Sequence, residues 1–391
     1  MQTGIKTLWG GYEILTNTDC NLRCTYCFEH KKAPGVNSPE LCRSFLEAMF
    51  RRDYEIRKKP LDLPPVIDLI GGESLIHPEL VESICETADE LCRRYGVKAP
   101  FLASVSTNGT TLNVPAVRKL VERWKGHFNL GFSIDGTKDV HDACRVDALG
   151  RGSYDEAVRG LRWAQGVLPP CRISVKATYT HATIDRYAEG VINLILLGFK
   201  YIAANTVFEE DWLPEEAPVI DSQLIRVADY LVEHDLVKSV FVAQINPAGI
   251  DPRKFFLPHV KTRNHCGSCT HMRCLGLRGE VYGCHRFCTM QRPIAIGHMD
   301  GNDLVITNRP LIREVASQWR HWPERCRRCG ISGYCSSCSA APYDQSPDDP
   351  QAYLDRRSQC GWTIATVTAR EYLKLKLEER ENNDKAQEAV V

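Results

Sequence analysis

Along the first 235 residues the apolar positions keep two different periods. Short runs read as strands: residues 12–15, then PVIDLI, FLASVS, NLGFSI, RISVKATY and KYIAAN. Between them, apolar residues recur every three or four positions, the spacing of a helix face. Ser38 and Pro39 open the first such stretch, which sets Leu41, Phe45 and Met49 on one side. HPELVESICETADELCRRYG follows, closed by Gly96, and then PAVRKLVERW, SYDEAVRGLRWAQ, IDRYAEGVINLILLG and SQLIRVADYLVEH. Strands alternating with helices of this length predict parallel βα units. Six are countable where eight would close a full barrel, so the pattern predicts an α/β fold with an open, partial (β/α)6 TIM-like barrel.

In such a barrel chemistry belongs on the loops after the strands, and the unusual residues fall there. The first strand runs into TDCNLRCTYCFEH, with Cys20, Cys24 and Cys27 in eight residues. GGES (Gly71, Gly72, Glu73, Ser74) follows the second strand and STNG (Ser106 to Gly109) the third. SIDG, with Ser133, follows the fourth, and residues 176–179 end the fifth. A Gly-Gly or Asn-Gly pair alone is a turn; five such features at one face predict a site.

Three chemistries can use a cysteine triplet. Disulfides need an oxidising compartment, and MQTGIKTLWGGYEIL lacks the basic, apolar and small-residue segments of a secretory signal. Zinc asks for four ligands, with His30 as a candidate fourth. An iron-sulfur cluster held by three thiolates leaves one iron open to a substrate or cofactor. The chain is 391 residues long with 18 cysteines, which in the expected reducing cytoplasm reads as metal binding. Lys plus Arg equals Asp plus Glu, 49 against 49, so no nucleic-acid partner is expected. No apolar run approaches the roughly 20 residues of a membrane span.

The loop Cys20, Cys24, Tyr26, Cys27 on a partial barrel resembles the CxxxCxΦC hallmark of the radical S-adenosylmethionine (SAM) superfamily. The resemblance implies a [4Fe-4S] cluster on the three thiolates whose fourth iron chelates SAM. One-electron cleavage then yields a 5'-deoxyadenosyl radical that abstracts hydrogen, while the protein positions the cofactor and excludes water. It also implies SAM contacts for Tyr26, for Gly71, Gly72 and Glu73 of the GGE motif, for Ser106 and Asn108, for Ser133 on the ribose, and for Arg145 on the carboxylate. A planar guanidinium suits that last role. Ser74 stands where the family more often has proline.

A second cysteine-rich region, 265–365, resembles a SPASM domain, a small C-terminal iron-sulfur domain with two auxiliary [4Fe-4S] clusters. By that pattern Cys266, Cys269, Cys284 and Cys338 hold the first and Cys326, Cys329, Cys335 and Cys360 the second, for three clusters in all. Two residues rather than three separate Cys335 from Cys338. The CRRC and CSSC pairs alone also suit zinc. Cys42, Cys85 and Cys92 read as small core residues; Cys274 and Cys288 lie among the proposed ligands, and one of them could replace an assigned one.

SPASM enzymes mostly modify peptides. Where sulfatase maturases of the family carry an aspartate base after the GxxxxC cysteine, this chain has His285, which moves the expectation toward a ribosomal-peptide maturase forming an intrapeptide thioether or carbon-carbon cross-link. Formylglycine formation is the alternative, and a non-catalytic zinc or electron-transfer protein the alternative of another class. The expected partners are a precursor peptide and a flavodoxin- or ferredoxin-type electron donor with its reductase; because the cysteine loop arrives too early for a leading recognition domain, peptide recognition is expected at the barrel mouth, in residues 235–264, on a separate peptide-recognition protein, or from the substrate core alone. The expected organisation is a barrel at 1–235, a bridging segment at 236–264, SPASM at 265–365, and at 366–391 a helix fraying into a disordered tail. The acidic run Glu209, Glu210, Asp211 is placed where substrate would enter.

Overall fold

The computed structural model describes residues 11–29, 34–57, 64–246, 266–335 and 338–388. The expected alternation is present. β1 (Gly11–Asn17), α1 (Pro39–Arg57), β2 (Val66–Gly71), α2 (Pro78–Arg94), β3 (Leu102–Thr107), α3 (Pro115–Arg123) and β4 (Phe128–Ser133) follow in order. α4 (Lys138–Cys144), α5 (Tyr154–Val167), β5 (Ile173–Tyr179), α6 (Tyr187–Leu196), β6 (Tyr201–Thr206) and α7 (Ala217–Glu233) complete six βα repeats. Proline occupies the first turn of α2 and α3, where its missing N–H has no helical partner to lose.

The chain divides into two compact units, the first containing 11–133, 145–173 and 266–320, the second 134–144, 174–246 and 321–388. In the first unit β1 to β4 lie side by side and parallel. β8 (Met272–Leu275) pairs parallel to the other edge of β1, and β9 (Glu280–Tyr282), β10 (Gly297–Asp300) and β11 (Asp303–Ile306) continue from it antiparallel. Strand alternation sorts the two faces. Tyr12, Ile14, Ile67, Leu69, Val105, Leu130 and Phe132 are all buried, joined by Phe45, Met49 and Phe50 of α1. Burial of each large side chain contributes about 1.5–3 kcal/mol. The alternate positions form a polar row in register: Glu13 opposite Asp68, Asp68 opposite Ser104, Ser104 opposite Asn129.

In the second unit β5 and β6 are parallel, and a further strand, β7 (Phe241–Val242), pairs with β6. The start of the expected bridging segment is therefore strand; two residues are too few to show a period. Residues 247–265, the rest of that segment, lie outside the described residues. The tail also differs from expectation, since one helix runs from Cys360 to Glu388. Its Glu, Lys, Arg and Gln residues are good helix formers. It is tied to α7 by Tyr372 donating to Asp229 at 2.7 Å and by the Arg380–Asp235 ion pair at 3.2 Å.

Candidate active site

The first unit draws four of the predicted features around residues 18–29. Glycine explains the closest approach. A Cβ on Gly72 would lie 2.1 Å from the Asp19 carbonyl and 2.9 Å from Cys20 Cβ, and one on Gly71, at φ +145°, would lie 2.2 Å from Asn17 O. Only side-chain-free backbone can pass here. Backbone hydrogen bonds then join the loops, with Glu73 N donating to Asp19 O at 2.8 Å and Gly72 N to Asn17 O at 3.2 Å.

Glu73 works through its buried carboxylate, which accepts from Asn108 N at 2.7 Å, Thr107 Oγ1 at 2.8 Å and Thr111 Oγ1 at 3.2 Å. Burial pushes its carboxyl up despite these bonds. Asn108 donates in turn to Asn21 Oδ1 at 2.8 Å, and Asn21 to Thr110 Oγ1 at 2.8 Å. The GGES and STNG loops are thereby stapled to the cysteine loop. Ser74 Oγ accepts from Thr16 Oγ1 at 3.0 Å. Ser106 is exposed and Ser133 half-buried.

On its other side the loop meets residues 145–147. Arg23 N donates to Val146 O at 2.6 Å, and Leu22 bridges Asp147. Arg145 is 8% exposed, its guanidinium 5.4 Å from the Tyr26 ring centre, so it is a buried cation over an aromatic face rather than a surface arginine. Cys20, Cys24 and Cys27 are half-buried, with Leu22 N donating to Cys20 Sγ at 3.4 Å. His30 lies outside the described residues.

His285 begins the short helix His285–Thr289. Its backbone N–H donates to Glu13 Oε2 at 2.6 Å, and its Nδ1 stands 3.2 Å from Oε1. Its ring is 5.9 Å from that of Phe28, the residue after Cys27. Glu13 was not foreseen, because one acid in a strand carries no motif. Asp68 was missed likewise; burial raises its carboxyl, with the Glu13 charge adding to the effect. The polar position inside PVIDLI is the signal that could have shown it.

The other cysteines singled out in the sequence fall into four groups. Cys269 N donates to Gly283 O at 3.0 Å, and a Cβ on Gly283 would lie 2.2 Å from Cys269 Sγ, so the segments bearing Cys269 and Cys284 pack backbone against thiol. Burial pushes the Cys269 thiol up to about 11. Cys266 is exposed and belongs to the same unit, whereas Cys338 belongs to the other. In the second unit Cys326, Cys329, Cys335 and Cys360 line one cavity of about 130 Å³, walled by Trp322 and Tyr353 among others. Cys42, Cys85 and Cys92 are buried in α1 and α2, as core residues are. Cys274 and Cys288 are buried against each other; burial first, then that contact, lifts the Cys274 thiol well above its usual range.

Residues 14–194 match the family model of the radical SAM superfamily. The chain carries a radical SAM domain. A cysteine-type anaerobic sulfatase-maturating enzyme of Clostridium novyi is 29% identical over 153 residues, 37% of this chain and 37% of that relative. The match thus spans about a third of the relative's own length. Two solved structures share the fold of the radical SAM domain and beyond. One, described as native anSMEcpe with bound AdoMet, has a TM-score of 0.66 at 17% identity, covering 93% of this chain and 99% of that one. The other, Streptococcus suis SuiB bound to precursor peptide SuiA, has a TM-score of 0.58 at 12% identity, covering 90% and 76%. The fold is the expected α/β partial barrel with a cysteine-rich C-terminal part.

The radical SAM family implies a [4Fe-4S] cluster and SAM, and the residues present fit them. Three thiols share one clamped loop, the Gly71–Gly72 backbone packs directly against it, and a buried guanidinium faces Tyr26. Among the described residues no three Cys, His, Asp or Glu side chains converge as on a single ion. A four-iron cluster asks for a different arrangement, one thiolate per iron. Among the described residues no helix is long and apolar enough to cross a membrane.

Proposed function

We propose that this chain is a radical SAM peptide maturase that abstracts hydrogen from a ribosomally made peptide and closes an intrapeptide thioether or carbon-carbon cross-link. The observation that carries the reading is the convergence of the cysteine loop, Gly71–Gly72, Asn108 and Arg145 in one unit, with the Glu13–His285 pair beside Phe28. In this reading Cys20, Cys24 and Cys27 hold the SAM-binding cluster, and Tyr26, Gly71, Gly72, Glu73, Ser106, Asn108, Ser133 and Arg145 shape the SAM site. Glu73 does so by holding Asn108 with its carboxylate rather than by touching SAM through it. Cys326, Cys329, Cys335 and Cys360 hold one auxiliary cluster, a reading supported by their shared cavity. Cys266, Cys269, Cys284 and Cys338 are assigned the other, giving the SPASM half at 265–365. When bound, the clusters and SAM supply one-electron reductive cleavage of the sulfonium and hence a hydrogen-abstracting radical.

The protein's own part is placement and proton transfer. With Nδ1 of His285 turned to Glu13 Oε1, Nε2 is the ring nitrogen left to take a proton from substrate. Forming a cross-link removes two hydrogens and two electrons from the peptide; one hydrogen leaves as an atom, His285 takes the other as a proton, and the remaining electron would go to the auxiliary cluster assigned to Cys266, Cys269, Cys284 and Cys338. A flavodoxin- or ferredoxin-type donor and a separate peptide-recognition protein complete the reading, and thiol-rich clusters suit the cytoplasm.

Formylglycine formation is the second reading, favoured by the sulfatase-maturating relative. It uses the same histidine as base. Mass spectrometry of a cognate peptide after turnover separates the two: loss of two hydrogens with a fragmentation gap between linked residues supports cross-linking. A free aldehyde trapped by a hydrazine establishes the second reading.

A further inference from the structure

A cavity of about 500 Å³ lies on the α1 side of the first unit's sheet, lined by Ala48, Met49, Arg51, Arg52 and Glu55 of α1, Arg273 of β8, and Asp303, Leu304 and Ile306 of β11. Arg273 sits opposite Tyr12, whose ring packs on Phe50 of α1; the next pair, Cys274 and Glu13, points to the other face. The cavity is thus separate from the side chains assigned to the reaction.

Its charges are unbalanced. Arg51 is ion-paired with Asp303. Arg52 has no hydrogen bond or ion pair among the described residues, and Arg273 is 5% exposed. The Arg273 Nη1 bonds only to the carbonyls of Met272 and Thr270, at 2.5 and 3.3 Å, while its buried Nε has no partner. Burial, with repulsion from Arg52, holds this guanidinium down to about 10; Asp53, already bonded by Tyr12, is the weakest of the charges acting on it. A buried cation facing another cation is costly without an anion.

We infer that this cavity is a binding site for a single carboxylate, the acidic side chain of an extended peptide segment lying along β11. Arg51 is satisfied by Asp303, and Asp53 and Cys269 act on Arg273 from outside the lining; the donors left within the cavity, Arg273 Nε and the Arg52 guanidinium, are as many as one carboxylate takes, which suits a carboxylate better than a dianionic phosphate. Met49, Leu304 and Ile306 give the slot apolar walls for the methylene groups of a glutamate. Among the described residues β11 has one strand partner, β10, so its outer edge is open to main-chain pairing with a peptide. The inference deepens the peptide-maturase reading, on which the identity of the occupant rests: the acidic segment is gripped apart from the residue that reacts.

The test is anaerobic calorimetry of the cluster-loaded protein with Ac-Ala-Leu-Glu-Leu-Ala-NH2, its Gln counterpart, and inorganic phosphate. The Glu peptide binds saturably, the Gln peptide at least tenfold more weakly, and Arg52→Gln lowers Glu-peptide affinity at least tenfold while leaving reductive SAM cleavage unchanged. Arg52 is half-exposed, so its variant folds even where Arg273→Met does not. Absence of saturable binding, equal binding of both peptides, or indifference to Arg52→Gln overturns the site. Phosphate binding without peptide binding overturns the peptide as its source. Because binding is read apart from SAM cleavage, a failed pocket is distinguished from a failed radical-enzyme reading.

Discussion

Asp68 shows how a single residue sets a pH response. Burial raises its carboxyl, with Glu13 next to it in register. A carboxyl that holds its proton more tightly folded than unfolded makes the fold lose stability as pH rises from about 4, the unfolded value. Asp68→Asn removes that penalty and keeps an acceptor for Ser104. The expected result is a higher urea midpoint than wild type at pH 8, with the advantage vanishing below about pH 4. Arg145 carries a different prediction. Arg145→Ala loses the Tyr26 contact and the proposed carboxylate fork, weakening SAM binding by about 1.5–3 kcal/mol. Lysine restores part of this, since it lacks the planar pair of donors. Equilibrium binding of SAM by both variants checks it; wild-type affinity in the alanine variant removes Arg145 from the site.

Among the elements, the C-terminal helix links fold to chemistry. Its first residue is Cys360, and the backbone just behind it is pinned: Gly361 N donates to Trp212 O at 2.7 Å, and a Cβ on Gly361 would lie 2.1 Å from Leu213 O. Gly361→Ala therefore pushes the first turn away and spoils the four-cysteine cavity. With the three clusters proposed above, about a third of the bound iron is expected to be lost and the SAM-cleaving cluster retained, as iron analysis and electron paramagnetic resonance would record. Nearby, the acidic run expected at the substrate entrance is spent internally. Glu210 accepts from His181 N at 2.7 Å, and Asp211 pairs with Arg356 at 3.2 Å. Charge in a sequence shows a side chain's sign but not its partner.

At the scale of the whole chain, replacing Cys20, Cys24 and Cys27 together by alanine is expected to abolish reductive SAM cleavage while, with the three clusters proposed above, about two thirds of the iron remains. Undiminished 5'-deoxyadenosine formation in that variant removes the radical reading. The six βα repeats and the clustering of chemistry after the strands were legible in the amino-acid order, because strand and helix periods and cysteine spacing are local quantities. So was the membership of Cys42, Cys85 and Cys92 in helix cores. The two-residue β7 and the continuous helix to Glu388 were not legible; one is too short to have a period, and the other is held by contacts with α7 some 140 residues away, such as Tyr372 to Asp229. Glu13 meets His285 across 272 positions, Arg273 meets α1, and four cysteines from 326 to 360 share a cavity. Such pairings depend on which strands lie side by side and in what register. Sheet order is settled by burial of the whole chain, so only the tertiary structure decided them.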